Sequence, residues 1–188
     1  MAVVALMASA TAQVGPQPVR LADGDSFSLG HDRYRLYGID APELHQQCTD
    51  ASGEAWPCGL RARSELRRII GTSPVQCRTV STDRYGRFVA ICRAGGRDIA
   101  SELVRAGFAT TIKSRDGRNP YEDEEADARA EKRGLWAGTF EPPREWRRAN
   151  PRRPETAPLP ESPRDWLARK TADLWQVVSD WVRWLLGH

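Results

Sequence analysis

The sequence predicts an α+β domain followed by a tail. Three observations support this. Short segments such as Asp25–Leu29 alternate apolar and polar residues as half-buried strands do, and turn residues separate them. Residues 59–70 have helical spacing and end at Gly71. Hydrophobic residues make up 40% of the 188 residues, which is enough for one packed core.

The predicted elements follow one another along residues 19–136. Strands are expected at residues 19–21, 25–29, 34–41, 75–80, 88–92 and 108–112, and helices at 59–70, 98–106 and from Asn119-Pro120 onward. In the first helix, Leu60, Leu66, Ile69 and Ile70 are predicted to face inward, and its arginines are interpreted as a solvated face.

One short stretch concentrates charged residues at the end of a predicted strand. Arg35, Asp40 and Glu43 lie within nine residues, and Pro42 ends the strand because proline cannot donate to a sheet ladder. If the preceding hairpin turns at Gly30-His31-Asp32, Asp25 falls roughly opposite Tyr37 and can approach Arg35 and Asp40. The sequence therefore predicts a cluster of carboxylates around an arginine.

The four cysteines favour an exported protein with two disulfides. No two of them have the spacing of a zinc finger. Three pairings are possible in principle. If the hairpin of residues 75–92 turns at Arg84-Tyr85, Cys77 faces Cys92, which leaves Cys48 to pair with Cys58.

The two ends of the chain differ in composition from the middle. Residues 1–12 are small and apolar, and Ala10-Thr11-Ala12 fits a signal-peptidase site, so we expect a signal peptide whose start is truncated or wrongly assigned, and export to the periplasm or outside the cell. The alternative is a disordered alanine-rich terminus. Residues 142–163 are proline-rich and are predicted to form a stiff, exposed linker.

Residues 164–188 are predicted to form a tryptophan-rich amphipathic helix. Residues 166–186 are too charged to span a membrane, but they could lie on a membrane surface or bind a partner protein. A helix folded against its own domain is the alternative. The domain between the tails is predicted to cover residues 13–141.

Three motifs, in order, resemble those of the staphylococcal nuclease (thermonuclease) family. They are Asp23-Gly24-Asp25, the stretch from Arg35 to Glu43, and Asp83-Arg84-Tyr85-Gly86-Arg87; the resemblance ends in Arg133-Gly134-Leu135-Trp136. It implies a five-stranded OB-fold β-barrel with about three packed helices. It also implies a monomeric, calcium-dependent endonuclease that hydrolyses DNA or RNA to 3′-phosphate ends.

The resemblance also implies a role for each matching residue. Asp25, Asp40 and the backbone carbonyl of Ala41 match ligands of Ca²⁺, a hard cation that prefers oxygen donors. Glu43 matches the general base that accepts a proton from water. Arg35 and Arg87 match the arginines that bind the phosphate.

Two other classes of function fit parts of the sequence. An OB-fold domain can bind nucleic acid without cutting it. The tryptophan-rich tail could instead be the working part of an envelope interaction protein. The net charge of +3 is compatible with a polyanionic substrate but does not require one.

Overall fold

A computed structural model of the chain describes residues 18–113, 117 and 120–151. The strands are β1 (Val19–Leu21), β2 (Ser26–Leu29), β3 (Asp32–Leu36), β4 (Ile39–Asp40), β5 (Cys48–Thr49), β6 (Ala55–Trp56), β7 (Val75–Thr82), β8 (Phe88–Ala94), β9 (Arg97–Asp98) and β10 (Thr110–Thr111). The helices are α1 (Cys58–Ile70), α2 (Ile99–Arg105), α3 (Glu122–Ala130) and α4 (Pro143–Ala149), with a 3₁₀ turn at Gly134–Ala137.

The main sheet has the strand order β1-β2-β3-β8-β7, and β9 pairs with β8. Its neighbours are antiparallel except for β3 and β8, which run parallel, with Arg35 beside Val89. The predicted OB-fold-like α+β architecture is confirmed. Since β3 and β8 are adjacent, the chain segments that carry Arg35 and Arg87 lie side by side.

The predicted barrel is not closed among the described residues. Strand β3 ends at Leu36, and Gly38 then adopts a φ of +77°, which redirects the chain. The next two residues, Ile39 and Asp40, leave the main sheet and pair with β10 as a separate two-stranded ladder. This turn also moves Asp40 back toward Arg35.

The core lies between the main sheet and helices α1 and α2. Its largest fully buried side chains include Phe27, Leu36, Leu66, Ile99 and Leu103. Helix α2 begins where Asp98 accepts hydrogen bonds from the backbone N–H groups of Ala100 and Ser101, as expected for an N-cap. The predicted inward face of α1 is confirmed at Leu66, Ile69 and Ile70.

The structure corrects the predicted burial of Leu60 and the predicted length of the β2–β3 turn. Leu60 is 42% exposed, because the buried face of α1 runs through Ala62, Leu66 and Ile69, and Leu60 lies on the other side of the helix. The β2–β3 hairpin pairs Leu29 with Asp32, so its turn is one residue shorter than predicted. Asp25 consequently lies opposite Leu36 and not Tyr37, and its carbonyl accepts a hydrogen bond from the Leu36 N–H.

Both predicted disulfides are present in the structure. Cys77 and Cys92 face each other across β7 and β8, and Cys48 joins Cys58 across the loop that precedes α1. A register shift between Thr79 and Ser81 lies between this pair and the turn. The two bonds fit a protein that matures in an oxidising environment.

Helix α4 lies in the first part of the range that was predicted to be an exposed linker. The helix starts at Pro143, a position where proline is favourable because the first N–H of a helix needs no partner. Pro143 is buried, and Glu145 precedes Arg147 and Arg148 in the order that suits the helix dipole. The prediction of an extended linker was therefore wrong for these seven residues.

The predicted signal peptide, the remainder of the linker beyond residue 151 and the C-terminal amphipathic helix lie outside the described residues, as does Asn119, the predicted cap of α3. No helix within the described ranges is long and apolar enough to cross a membrane.

Candidate active site

Three buried carboxylates, Asp25, Asp40 and Glu43, form an acidic cluster beside the turn between β3 and β4. One nitrogen of Arg35, Nη2, lies 3.0 Å from Asp25 Oδ2 and 2.7 Å from Asp40 Oδ1. Both aspartates therefore converge on a single guanidinium group. The register of the predicted hairpin placed Asp25 near Arg35 and Asp40, and the shorter hairpin turn does not disturb this convergence.

Asp25 is held by polar groups from three parts of the chain. It accepts hydrogen bonds from the Ser26 hydroxyl at 2.8 Å, the Ala41 N–H at 3.2 Å and Arg35 Nη1 at 3.3 Å. Burial raises the pKa of Asp25 to about 7, although Arg35 opposes the shift. Burial thus disfavours the ionised carboxylate, and a bound cation would favour it.

Glu43 is positioned by its backbone. Its N–H donates to the side-chain oxygen of Gln46 at 3.2 Å, and its carbonyl accepts from the Gln46 N–H at 2.8 Å. Gly59, at the start of α1, lies so close that a Cβ there would be 1.8 Å from the Glu43 carbonyl oxygen. The buried Gln46 and the glycine together hold the glutamate against the helix.

Arg87 lies at the edge of the acidic cluster. Its Nε donates to Asp83 Oδ2 at 2.7 Å, and Asp83 also accepts from the backbone N–H groups of Tyr85 and Arg87. The Arg87 Nη1 lies 3.3 Å from the Ser26 hydroxyl, which in turn donates to Asp25. Arg87 is thus linked to the cluster through Ser26, a residue that the sequence analysis did not single out.

Arg147, from helix α4, enters the same cluster. Its Nη1 and Nη2 donate to the two carboxylate oxygens of Asp40 at 2.9 and 2.8 Å, and Nη1 also donates to Glu43 Oε1 at 3.0 Å. Burial lowers the pKa of Arg147, but Asp40 and Glu43 outweigh this effect and raise it, so the guanidinium stays charged. The sequence analysis missed this residue because it took Pro142-Pro143 as a linker signal.

The path of the chain into α4 explains how Arg147 reaches the cluster. Thr49 and Thr139 exchange backbone hydrogen bonds of 2.9 and 2.8 Å, and the Gln46 side chain donates to the Glu141 carbonyl at 2.7 Å. A Cβ at Gly138 would lie 2.0 Å from the Thr49 carbonyl oxygen, so this approach requires glycine. The disulfide loop thereby holds the start of α4 next to the cluster.

The oxygen donors around Asp25 have the chemistry that a hard divalent cation requires. Asp25, Asp40 and the Ala41 peptide are adjacent, and no softer ligand such as cysteine or histidine is among them. Both oxygens of Asp40 are, however, hydrogen-bonded to Arg147 or Arg35. Within the described ranges, no three His, Cys, Asp or Glu side chains are arranged as a metal site by themselves.

These features define a class of protein: an OB-fold-like domain that bears a carboxylate and arginine site. The model of the staphylococcal nuclease homologue family matches residues 33–138, which is more than half of the chain. The protein therefore belongs to the staphylococcal nuclease homologue family. The match includes Arg35, Asp40, Glu43 and Arg87 and ends before α4.

Curated relatives carry names of more than one kind. The chain is 34% identical over 116 residues to the succinoglycan biosynthesis protein ExoI of Rhizobium meliloti (strain 1021), covering 61% of this chain and 60% of that protein. It is 35% identical over 117 residues to the probable staphylococcal-like nuclease CAN2 of Oryza sativa subsp. japonica, covering 62% of this chain and 29% of that protein.

A longer match reaches the probable endonuclease LCL3 of Verticillium alfalfae. It is 30% identical over 177 residues, covering 87% of this chain and 55% of that protein. In these three matches the chain spans 60% or less of the relative's own length.

Proposed function

We propose that the protein is a calcium-dependent phosphodiesterase that cuts DNA or RNA within the strand and leaves 3′-phosphate ends. The observation that carries this proposal is the convergence of Asp25 and Asp40 on Arg35, with Glu43 joined to the same cluster through Arg147. Family membership supports a nuclease, since relatives such as CAN2 and LCL3 are named nuclease and endonuclease.

The proposed cation site consists of Asp25, Asp40 and the carbonyl oxygen of Ala41. Calcium bound there would neutralise charge on the phosphodiester and on the carboxylates.

The proposed chemistry assigns different tasks to the other side chains. Glu43 accepts a proton from the attacking water, a role that a positioned carboxylate can take. Arg35 and Arg87 donate hydrogen bonds to phosphate oxygens, and they act most strongly if they bind the more negative transition state. Asp83 keeps Arg87 aimed by accepting from its Nε.

The decisive experiment is cleavage of single-stranded DNA and of RNA by the purified, oxidised protein, first with calcium and then with EGTA. We expect cleavage that EGTA abolishes. Glu43→Gln should lower kcat on the order of a hundredfold or more, because it removes the proton acceptor but keeps the shape. Glu54→Gln, the same change at an exposed position of the disulfide loop, is the matched control.

The outcome separates the proposal from its main alternative. If the folded protein cuts neither substrate yet binds single strands, the domain is a nucleic-acid-binding module and not a nuclease. Equal cleavage by the Glu43→Gln and Glu54→Gln variants would remove Glu43 from the mechanism.

A further inference from the structure

Helix α4 carries Arg147, whose positive charge lies at Asp40, one of the proposed ligands of the metal ion. Arg147 binds both oxygens of Asp40 and one oxygen of Glu43, through three hydrogen bonds of 2.8–3.0 Å. A bidentate contact of an arginine with a carboxylate is among the strongest polar contacts in proteins. The Asp40 side chain is 6% exposed and that of Arg147 is 36% exposed, so solvent reaches the arginine far more readily than the aspartate.

Asp40 Oδ1 cannot keep both of its arginine contacts and also bind a metal ion, and a metal ion at Oδ2 would lie close to the Arg147 guanidinium. Asp40 Oδ1 also accepts from Arg35, so the carboxylate already has three N–H donors. A divalent cation and the Arg147 guanidinium both need the lone pairs of Asp40, and the two positive charges repel each other at this distance. Binding of a metal ion at Asp40 therefore opposes binding of Arg147 at Asp40, and the reverse also holds.

The rest of α4 is attached in a way that allows Arg147 to leave. The helix has seven residues, and among its members Pro143 is buried whereas Arg144, Arg148 and Ala149 are exposed. Its starting point is held separately, by the contacts of Gln46 with Glu141 and of Thr49 with Thr139. Loss of the three Arg147 hydrogen bonds would release the end of the helix while its start stays attached.

We propose that Arg147 is an internal occupant of the cation site, so that α4 is docked when calcium is absent and released when calcium binds. This inference rests on the proposed calcium site and adds a control element from outside the matched nuclease family region. Because binding effects are reciprocal, calcium weakens the docking of α4 by the same factor by which docked α4 weakens calcium binding.

Calcium titration by calorimetry, without substrate, tests the proposal. Arg147→Gln should bind calcium on the order of tenfold more tightly than the parent, because the competing charge and its hydrogen bonds are gone. Arg148→Gln removes an equal charge from the neighbouring exposed position, so it controls for the general electrostatic effect. Circular dichroism establishes that each variant is folded.

The variants separate a failure of this inference from a failure of the proposed function. Asp40→Asn should abolish calcium binding if the cation site is correct. If Asp40→Asn does so but Arg147→Gln and Arg148→Gln bind calcium equally, the metal site stands and the competition is refuted. If the parent and the Arg147→Gln variant both fail to bind calcium, the metal site and this inference fall together.

Hydrogen exchange of the unmodified protein gives a second, independent readout. The amides of Trp146 and Asn150 donate within α4 and its flanks, to Pro142 and Trp146 respectively. Calcium should speed exchange of these amides in the parent and leave it unchanged in Asp40→Asn. Unchanged or slower exchange in the calcium-bound parent would overturn the release of α4.

Discussion

At the scale of single residues, the site depends on arginines that carboxylates hold in place. Arg35 is held by Asp25 and Asp40, and Arg87 is held by Asp83. Burial lowers the pKa of Arg35, but its two aspartates outweigh burial and raise it. Arg35 therefore stays charged, and the carboxylates orient both arginines in the way that recognition of a phosphate requires.

Replacement of Arg87 tests this arrangement with a control from the same turn. Arg87→Ala should lower kcat on the order of a hundredfold or more, since it removes the donors proposed to bind the phosphate. Arg84→Ala removes an arginine that contacts only the neighbouring Tyr85 among the contacts seen, and it should change kcat little. Comparable loss in both variants, measured on the same DNA substrate, would show that general positive charge is what matters.

At the scale of elements, the start of α1 determines where Glu43 lies. Helix α1 approaches the Glu43 backbone at Gly59, where no side chain can be accommodated without a shift of the main chain. Gln46 completes the position by bonding the Glu43 N–H on one side and the Glu141 carbonyl on the other. A short helix–backbone contact thus controls the direction of a side chain sixteen residues earlier in the chain.

Gly59→Ala tests this dependence. The added methyl group must push α1 and Glu43 apart, so we expect unfolding free energy to fall by about 1–3 kcal/mol and kcat to fall as well. Denaturant unfolding and single-turnover cleavage measure the two effects.

Gly53→Ala, in the disulfide loop that precedes α1, is the matched control. Gly53 has a φ of +89° with nothing within 4 Å of an added Cβ, so the substitution costs stability through backbone strain of about 1–2 kcal/mol without moving Glu43. If both variants lose stability but neither loses kcat, the Gly59 contact serves folding only.

At the scale of the whole molecule, the loop closed by Cys48 and Cys58 connects two distant parts of the chain. The loop contains Thr49, which pairs with Thr139, and Gln46 lies just before it and binds Glu141. Through these contacts the loop sets the path from the nuclease family region into α4. The Cys77–Cys92 bond lies within the β7–β8 hairpin and has no such role.

The two disulfides should therefore differ in what their removal does. Either double Cys→Ser variant should lose roughly 3 kcal/mol of unfolding free energy on the loop-entropy model, since the cysteines are separated by 10 and 15 residues. Only Cys48→Ser with Cys58→Ser should also speed hydrogen exchange in α4. Equal exchange in the two double variants would mean that the loop does not hold α4.

The sequence by itself determined the elements whose signals are local and the residues that recognisable motifs identify. Alternation of apolar residues was sufficient to predict the β7–β8 hairpin, but its turn is one residue longer than predicted, and the register shift between Thr79 and Ser81 restores the facing of Cys77 and Cys92. The β2–β3 hairpin was sufficient to bring Asp25 close to Arg35 and Asp40. These predictions succeeded because each depends on neighbouring residues or on one hairpin.

Only the tertiary structure decided what completes the acidic cluster. Arg147 binds Asp40 across 107 positions of the chain, and its position depends on the Thr49–Thr139 and Gln46–Glu141 contacts, which have no signature in local sequence. Pro142-Pro143 is compatible with both an extended linker and a helix start, since proline is favourable in each. Long-range packing selected the helix, and the helix brings Arg147 to the cluster as a second guanidinium group beside Arg35.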